Sequence, residues 1–144
     1  MTMKQNPIKQ TIQAAIHAAQ KTVGVSKSME YKDCIRTQIF VGLNDGDTKE
    51  QRFDTDRYAS VLKRVCVQYG VPFSFSIMKG GYIHDDGEYT EENTIALTFI
   101  DVPQKIVDEI AEDLCVFFRQ ESVLITSSAI QSRTIRRIAD DLEI

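Results

Sequence analysis

The sequence predicts an α+β fold, a four-stranded antiparallel sheet carrying two helices on one face. Three observations predict it. The stretch from Cys34 to Asp54, CIRTQIFVGLNDGDTKEQRFD, opens with the strict alternation of a strand that has one face on a core. Period-2 and period-3.6 segments then follow in the order strand, helix, strand, strand, helix, strand. Finally, Asp86-Gly87 is a hairpin turn between the second and third strand patterns, which makes those two antiparallel neighbours. This order is the split βαβ, ferredoxin-like pattern (βαββαβ), here with an extra helix expected at each end.

Composition bounds the function. With 144 residues and 42% hydrophobic content, one domain with a sizeable core is expected. The net charge of −4 and pI near 5.2 argue against non-specific binding to DNA, RNA or an anionic membrane, which need a basic field. No apolar run approaches the ~18 residues of a membrane span, and MTMKQNPIKQ lacks the apolar core of a signal peptide. The expectation is a soluble protein of a reducing cytoplasm. Cys34, Cys66 and Cys115 are an odd number, far apart and without a Cys-x-x-Cys, and read as reduced and structural.

In chain order, Pro7 to Val23 reads as an amphipathic helix, because Ile8, Ile12, Ile16, Ala19 and Val23 make one stripe and Pro7 fits the first turn. That stripe needs a partner, either the open face of the sheet or a second subunit. Gly24 to Glu30 is a Gly/Ser linker. The chain therefore divides into an accessory helix at residues 1–24, a linker at 25–31 and a single ligand-binding domain at 32–144. On the first strand Ile35, Thr37, Ile39, Val41 and Leu43 point to the core, and Arg36, Gln38, Phe40 and Gly42 point away. Asn44-Asp45-Gly46-Asp47 is a turn cluster, read as a flap or rim. A helix starts at Asp54-Thr55, with Tyr58, Val61, Leu62, Val65 and Tyr69 as its apolar stripe and Gly70 and Pro72 as its stop.

Val71 to Met78 alternates again, with Val71, Phe73, Phe75 and Ile77 on one face. Gly80-Gly81 marks a bulge or a close approach to the backbone before Tyr82-Ile83-His84 resume the strand. The partner strand runs from Tyr89 to Ile100 with Ile95, Leu97 and Phe99 inward. Asp101 and Gln104 suggest a capping box for a helix buried through Ile106, Val107, Ile110, Leu114, Phe117 and Phe118. Val123 to Thr126 is a short last strand, and a terminal helix is expected from Ala129 onward, with Ile130, Ile135, Ile138 and Leu142 as its stripe.

Most candidate chemistry reduces to ordinary roles. The Asp/Asn/Gly turns lack the EF-hand ligand pattern, and His17 and His84, the two histidines, give no zinc-ligand spacing. No nucleophile elbow accompanies His84, and Glu91-Glu92, Asp85-Asp86 and Asp140-Asp141 read as solvated carboxylate pairs. No catalytic residue, metal ligand or cofactor is implied. The arginines say more. Arg133, Arg136 and Arg137 would share one helical face, though Arg136-Asp140 and Arg137-Asp141 also form i, i+4 pairs worth only ~0.2–0.5 kcal/mol each. Arg119 meets the negative end of the third helix, and Arg36 lies on the open sheet face. Together they suggest phosphate recognition.

The segments IFVGLNDGDTKEQ, GGYIHDDGEYTEENT and RQESVLIT resemble those marking the phage Thoeris anti-defence proteins of the first type, over roughly Arg36 to Arg137. The resemblance implies a signal sponge, not an enzyme: a viral protein that holds cyclic ADP-ribose isomers made by bacterial TIR-domain enzymes without cleaving them. It would act in the host cytoplasm. Its ligand-binding residues would be Tyr82, His84, Asn93, Arg119 and Gln120. Some members also hold cyclic trinucleotides in a second, arginine-lined pocket between subunits, matched here by Arg36, Arg136 and Arg137. The resemblance implies a homo-oligomer, a hexamer or larger, as the assembly. The residues alone leave two alternatives open: a small hydrolase or lyase of the same ligand, and a non-catalytic oligomeric interaction domain.

Overall fold

A computed structural model describes residues 7–12, 14, 30–83 and 85–137, with Tyr82 described through its backbone alone. Most of the expected N-terminal helix with His17, most of the linker, His84 and residues 138–144 lie outside the described residues. The chain forms two compact units, Met1–Lys32 with Gln131–Ile144, and Asp33–Ile130. In the first, residues 7–12 and 14 are helical, Thr11 Oγ1 donates to the Pro7 carbonyl at 3.0 Å, and Ile8 of the predicted stripe is exposed. Arg133 stacks over Tyr31, with its Cζ 4.8 Å from the ring centroid.

The elements are β1 (Lys32–Gly42), α1 (Thr55–Tyr69), β2 (Ser74–Ile83), β3 (Tyr89–Ile100), α2 (Gln104–Phe117) and β4 (Leu124–Ser132). The sheet order is β2-β3-β1-β4, and β3 runs antiparallel to both β1 and β2. This is the predicted ferredoxin-like α+β fold: a four-stranded antiparallel sheet in which α1 and α2 join strands that are not neighbours. No helix among the described residues is long and apolar enough to cross a membrane.

β1 obeys its alternation where the ladder holds it. Thr37, Ile39, Val41 and Leu43 are buried, whereas Ile35 is exposed and Cys34 is buried in its stead. The β1–β3 pairing begins only at Arg36↔Ile100, and the Ile35 carbonyl instead accepts the N–H of Asp101, so the pleat does not bind Ile35 to the core side. The core joins Ile39, Val41, Leu43, Ile95, Leu97 and Phe99 of the sheet to Tyr58, Leu62, Val65 and Cys66 of α1 and Val107, Ile110, Leu114 and Phe118 at α2. Burying each such side chain is worth ~1.5–3 kcal/mol. The two helices are also tied by Tyr69 Oη, which donates to Asp113 Oδ2 at 2.8 Å and whose phenol is thereby pushed up to about 12. Cys34, Cys66 and Cys115 form no disulfide.

Several expectations are corrected. Gly80-Gly81 makes no bulge, because the ladder is continuous through Lys79↔Asn93, Gly80↔Glu92, Gly81↔Glu91 and Tyr82↔Thr90. The close approach is made by cross-strand side chains: a Cβ at Gly80 would stand 2.7 Å from Thr94 Oγ1, and one at Gly81 2.6 Å from Tyr89 Oη. The capping box of α2 does not form. The N-cap is Pro103, Asp101 sits outside the helix in the left-handed region at φ 58°, and Gln104 Nε2 donates along the helix to Asp108 Oδ1 at 2.7 Å. Phe117 is 58% exposed while Phe118 is buried. Phe118 continues the four-residue spacing of Ile110 and Leu114, and one residue of helix turns Phe117 away from that face.

The largest correction is at the C-terminus. Ala129 to Ser132 belong to β4, and residues 133–137 have no regular structure, so Arg133, Arg136 and Arg137 share no helical face. The segment LITSSAIQS is rich in β-branched residues and serines, which are weak helix formers, and β1 offers it a ladder as an edge strand. The expected pairs with Asp140 and Asp141 fall outside the described residues.

Candidate functional site

The chain leaving β1 forms a tight loop whose geometry follows from one side chain. Asp45, its side chain 1% exposed, accepts the N–H groups of Asp47 at 2.8 Å and Thr48 at 3.2 Å through Oδ1, the local turn that aspartate favours. Its own N–H donates to the Glu50 carbonyl, and Lys49, at φ 63°, donates back to the Asp45 carbonyl. Asn44 and Gln51 close the loop as an isolated antiparallel bridge.

A second segment clamps the loop. Just past the end of α2, Arg119 adopts φ 53°, and its carbonyl accepts the Gly46 N–H at 2.9 Å. A Cβ at Gly46 would stand 3.0 Å from that oxygen, tighter than ordinary van der Waals contact, so glycine eases the approach of the two segments. The Arg119 guanidinium places Nε 2.9 Å from Asp45 Oδ2 and Nη2 2.9 Å from Asp47 Oδ2, with Arg52 Nη1 a further 3.8 Å from Asp45 Oδ2. Asp45 Oδ2 has no hydrogen bond of good geometry among the described residues, so Arg119 compensates it as a charge. The Asp47 N–H bond, helped by those of Thr48 and the charges of Arg119 and Arg52, holds the Asp45 carboxyl below its ordinary range against the opposing effect of burial. Gln120 Nε2 adds a bond to the Asn44 carbonyl at 2.5 Å. The loop is a fixed rim.

Asn93 buttresses the other arm of the loop. Its Nδ2 donates to Gln51 Oε1 at 2.9 Å, and Gln51 Nε2 donates in turn to the Phe53 carbonyl and to Thr55 Oγ1 at the start of α1. The preceding residue, Glu92, lies on the opposite face of β3 with Thr94, Ala96 and Thr98. Its Oε2 accepts the Asn44 N–H at 3.1 Å. Between the loop, Glu92 and the α2–β4 connection is an open cavity of about 260 Å³ lined by Asn44, Asp45, Gly46, Lys49, Glu92, Gln120, Glu121 and Ser122. A second hollow, about 410 Å³ and lined by Asp33, Cys34, Ile35 and Asp101 to Gln104, holds none of the expected site residues.

The structure therefore brings Asn93, Arg119 and Gln120 together around one loop, but each already has an intramolecular partner. Tyr82 pairs through its backbone with Thr90, three rungs beyond Lys79↔Asn93, about 10 Å along the ladder. His84 lies outside the described residues. Arg36 is exposed on β1, and Arg136 and Arg137 are exposed residues of the other compact unit. Sequence reasoning missed the carboxylates. Asp45 was read as turn chemistry and Glu92 as half of a solvated pair, while Glu121 lay inside RQES beside the two residues selected. The available signal was parity: Glu92 and Gly42 both fall on the open face of adjacent strands.

No family model matches the chain, and no curated protein matches it. Solved structures do. A phage SAM lyase in complex with S-methyl-5'-thioadenosine is 20% identical, with 70% of this chain and 90% of that one covered and a TM-score of 0.53. A phage SAM lyase in its apo state is 21% identical over 73% and 93%, also at 0.53. A nitrogen regulatory PII-like protein from Thiomonas intermedia K12, bound to ADP, AMP and bicarbonate, is 17% identical over 74% and 100%, at 0.44. At these identities the likeness is one of fold. It nevertheless overturns the expectation that the protein is not an enzyme, because the structures similar to it at 0.53 are those of a lyase.

Proposed function

We propose that the protein binds S-adenosylmethionine, or a close sulfonium relative, in the cavity beside the 44–52 loop and cleaves it to S-methyl-5'-thioadenosine. The charge of the cavity carries this reading. Asp45 is already balanced by Arg119, which leaves Glu92 and Glu121 against Lys49. A ligand with a sulfonium, an ammonium and one carboxylate complements that set, and Lys49, whose Nζ donates to the Gly46 carbonyl at 2.7 Å, keeps two further N–H donors for the carboxylate. A doubly phosphorylated ligand placed there would meet uncompensated like charge. The fold, shared with a phage SAM lyase at a TM-score of 0.53, supports the choice of nucleoside.

The chemistry limits what the carboxylates would do. Cleavage to the thioether breaks the bond from sulfur to the amino-acid chain, and the electron pair passes to sulfur. The chain is then satisfied by its own carboxylate oxygen or by loss of a proton. Positive charge on sulfur is lost in the transition state, so Glu92 and Glu121 would not speed the step by stabilising that charge. Their contribution is to bind the cationic chain and hold one reactive conformer. At about 260 Å³ the cavity is smaller than the ~300–1,000 Å³ usual for a whole ligand, so a neighbouring copy in a homo-oligomer would complete the site.

A second reading, capture of a cyclic ADP-ribose isomer or a cyclic trinucleotide in the manner of the Thoeris anti-defence proteins, draws support from Arg36. It is exposed six residues along β1 from Gly42, ~20 Å away from the carboxylate cavity. One experiment tests both. Calorimetry with S-adenosylmethionine, a cyclic ADP-ribose isomer and a cyclic trinucleotide is followed by denaturation and mass analysis of the nucleotide. Heat with S-adenosylmethionine and release of S-methyl-5'-thioadenosine are expected. Heat with a cyclic nucleotide alone would transfer the function to the second reading, and no heat with any would reject both.

A further inference from the structure

Gly42 ends β1, and its φ lies outside the left-handed region, so nothing in its backbone demands a glycine. Space does. A Cβ built there would sit 2.6 Å from both Cδ and Oε2 of Glu92 and closer still to Oε1. Non-bonded carbon atoms normally stand ~3.5–4.0 Å apart. The Glu92 carboxylate, reaching across from β3, thus occupies the volume that any other residue at position 42 would fill. From there Oε2 accepts the Asn44 N–H at 3.1 Å, and the side chain forms part of the cavity wall. The colliding group is the far end of a flexible side chain, so an added methyl would displace the carboxylate and leave the strand in place.

We propose that Gly42 is a positioning residue: its bare face lets the Glu92 carboxylate lie against β1 at the cavity, and so sets a preference for a cationic over a neutral adenosyl ligand. The ligand part rests on the sulfonium reading given above. S-adenosylmethionine carries the charge that Glu92 attracts. S-methyl-5'-thioadenosine, a neutral thioether, lacks it, so the same carboxylate that favours substrate does not retain product.

The test uses the full chain and these two probes. Gly42→Ala is expected to keep its thermal midpoint, to lose about tenfold in affinity for S-adenosylmethionine and to bind S-methyl-5'-thioadenosine as before. Glu92→Gln is expected to give the same split, and the double variant no further loss than Glu92→Gln alone. Wild-type affinity in Gly42→Ala, a parallel loss of both ligands, or additive losses would overturn the proposal. If the unaltered protein binds neither probe, the sulfonium reading fails, and the positioning role is decided without ligand. The Asn44 amide proton, bonded to the carboxylate, is expected to move upfield in Gly42→Ala as far as in Glu92→Gln. An unmoved resonance in Gly42→Ala overturns the role.

Discussion

Asp45 shows how one buried carboxylate organises a site from the inside. It spends both oxygens on the protein, one on two backbone N–H groups and the other against Arg119, so it shapes the rim without offering free charge. Its folded pKa is held below the reference value of 3.8. The sign follows: stability from the ionised form is present above the unfolded value and is lost as pH falls through the folded one. Asp45→Asn is therefore expected to lower the urea midpoint at pH 7, with the gap to the unaltered protein closing as pH is taken well below 3.8. A gap that stays constant across that range would contradict the role. Arg119, whose ionisation is raised chiefly by its bond to Asp47, stays cationic throughout. The sequence singled out Arg119 as a ligand-binding residue, but its pairing could not be read without Asp45, which is distant in the chain and adjacent in space.

Among the elements, β1, α1, β3 and α2 were legible because each carries a long periodic stripe and a recognisable end. Gly70, in the left-handed region at φ 67°, stops α1 where the glycine stands in the sequence. β2 was less well placed, since as an edge strand it covers only part of its inner face, and Ile77 is exposed. The last strand was found at Val123 to Thr126 but cut short: the segment from Ala129 was misread as helix because its isoleucines fit a loose helical stripe as well as an alternating one, and only the free edge of β1 chooses between them. Backbone chemical shifts of Leu124 to Ser132 are expected to have strand values throughout, and helical values from Ala129 onward would contradict β4.

At the scale of the larger unit, Asp33–Ile130, the sheet and helices carry one loop and one short connection that reach towards each other. The core is continuous through Leu62 of α1 and Leu114 of α2, both fully buried. Leu62→Ala or Leu114→Ala is expected to cost ~2–5 kcal/mol in urea unfolding. A loss under about 1 kcal/mol at both would mean the helices do not pack on the sheet as described. By itself the sequence determined the ferredoxin-like class, the strand and helix order of the core, and the inward residues of β1 from Thr37 onward and of β3, because hydrophobic periodicity is local and covalently fixed. Only the tertiary structure decided where the C-terminal segment goes, that Arg119 is consumed by Asp45 and Asp47, and that Glu92 lies over Gly42 at the cavity. Those facts depend on which groups end up side by side, and they are the basis on which a cationic ligand is proposed above in place of an anionic one.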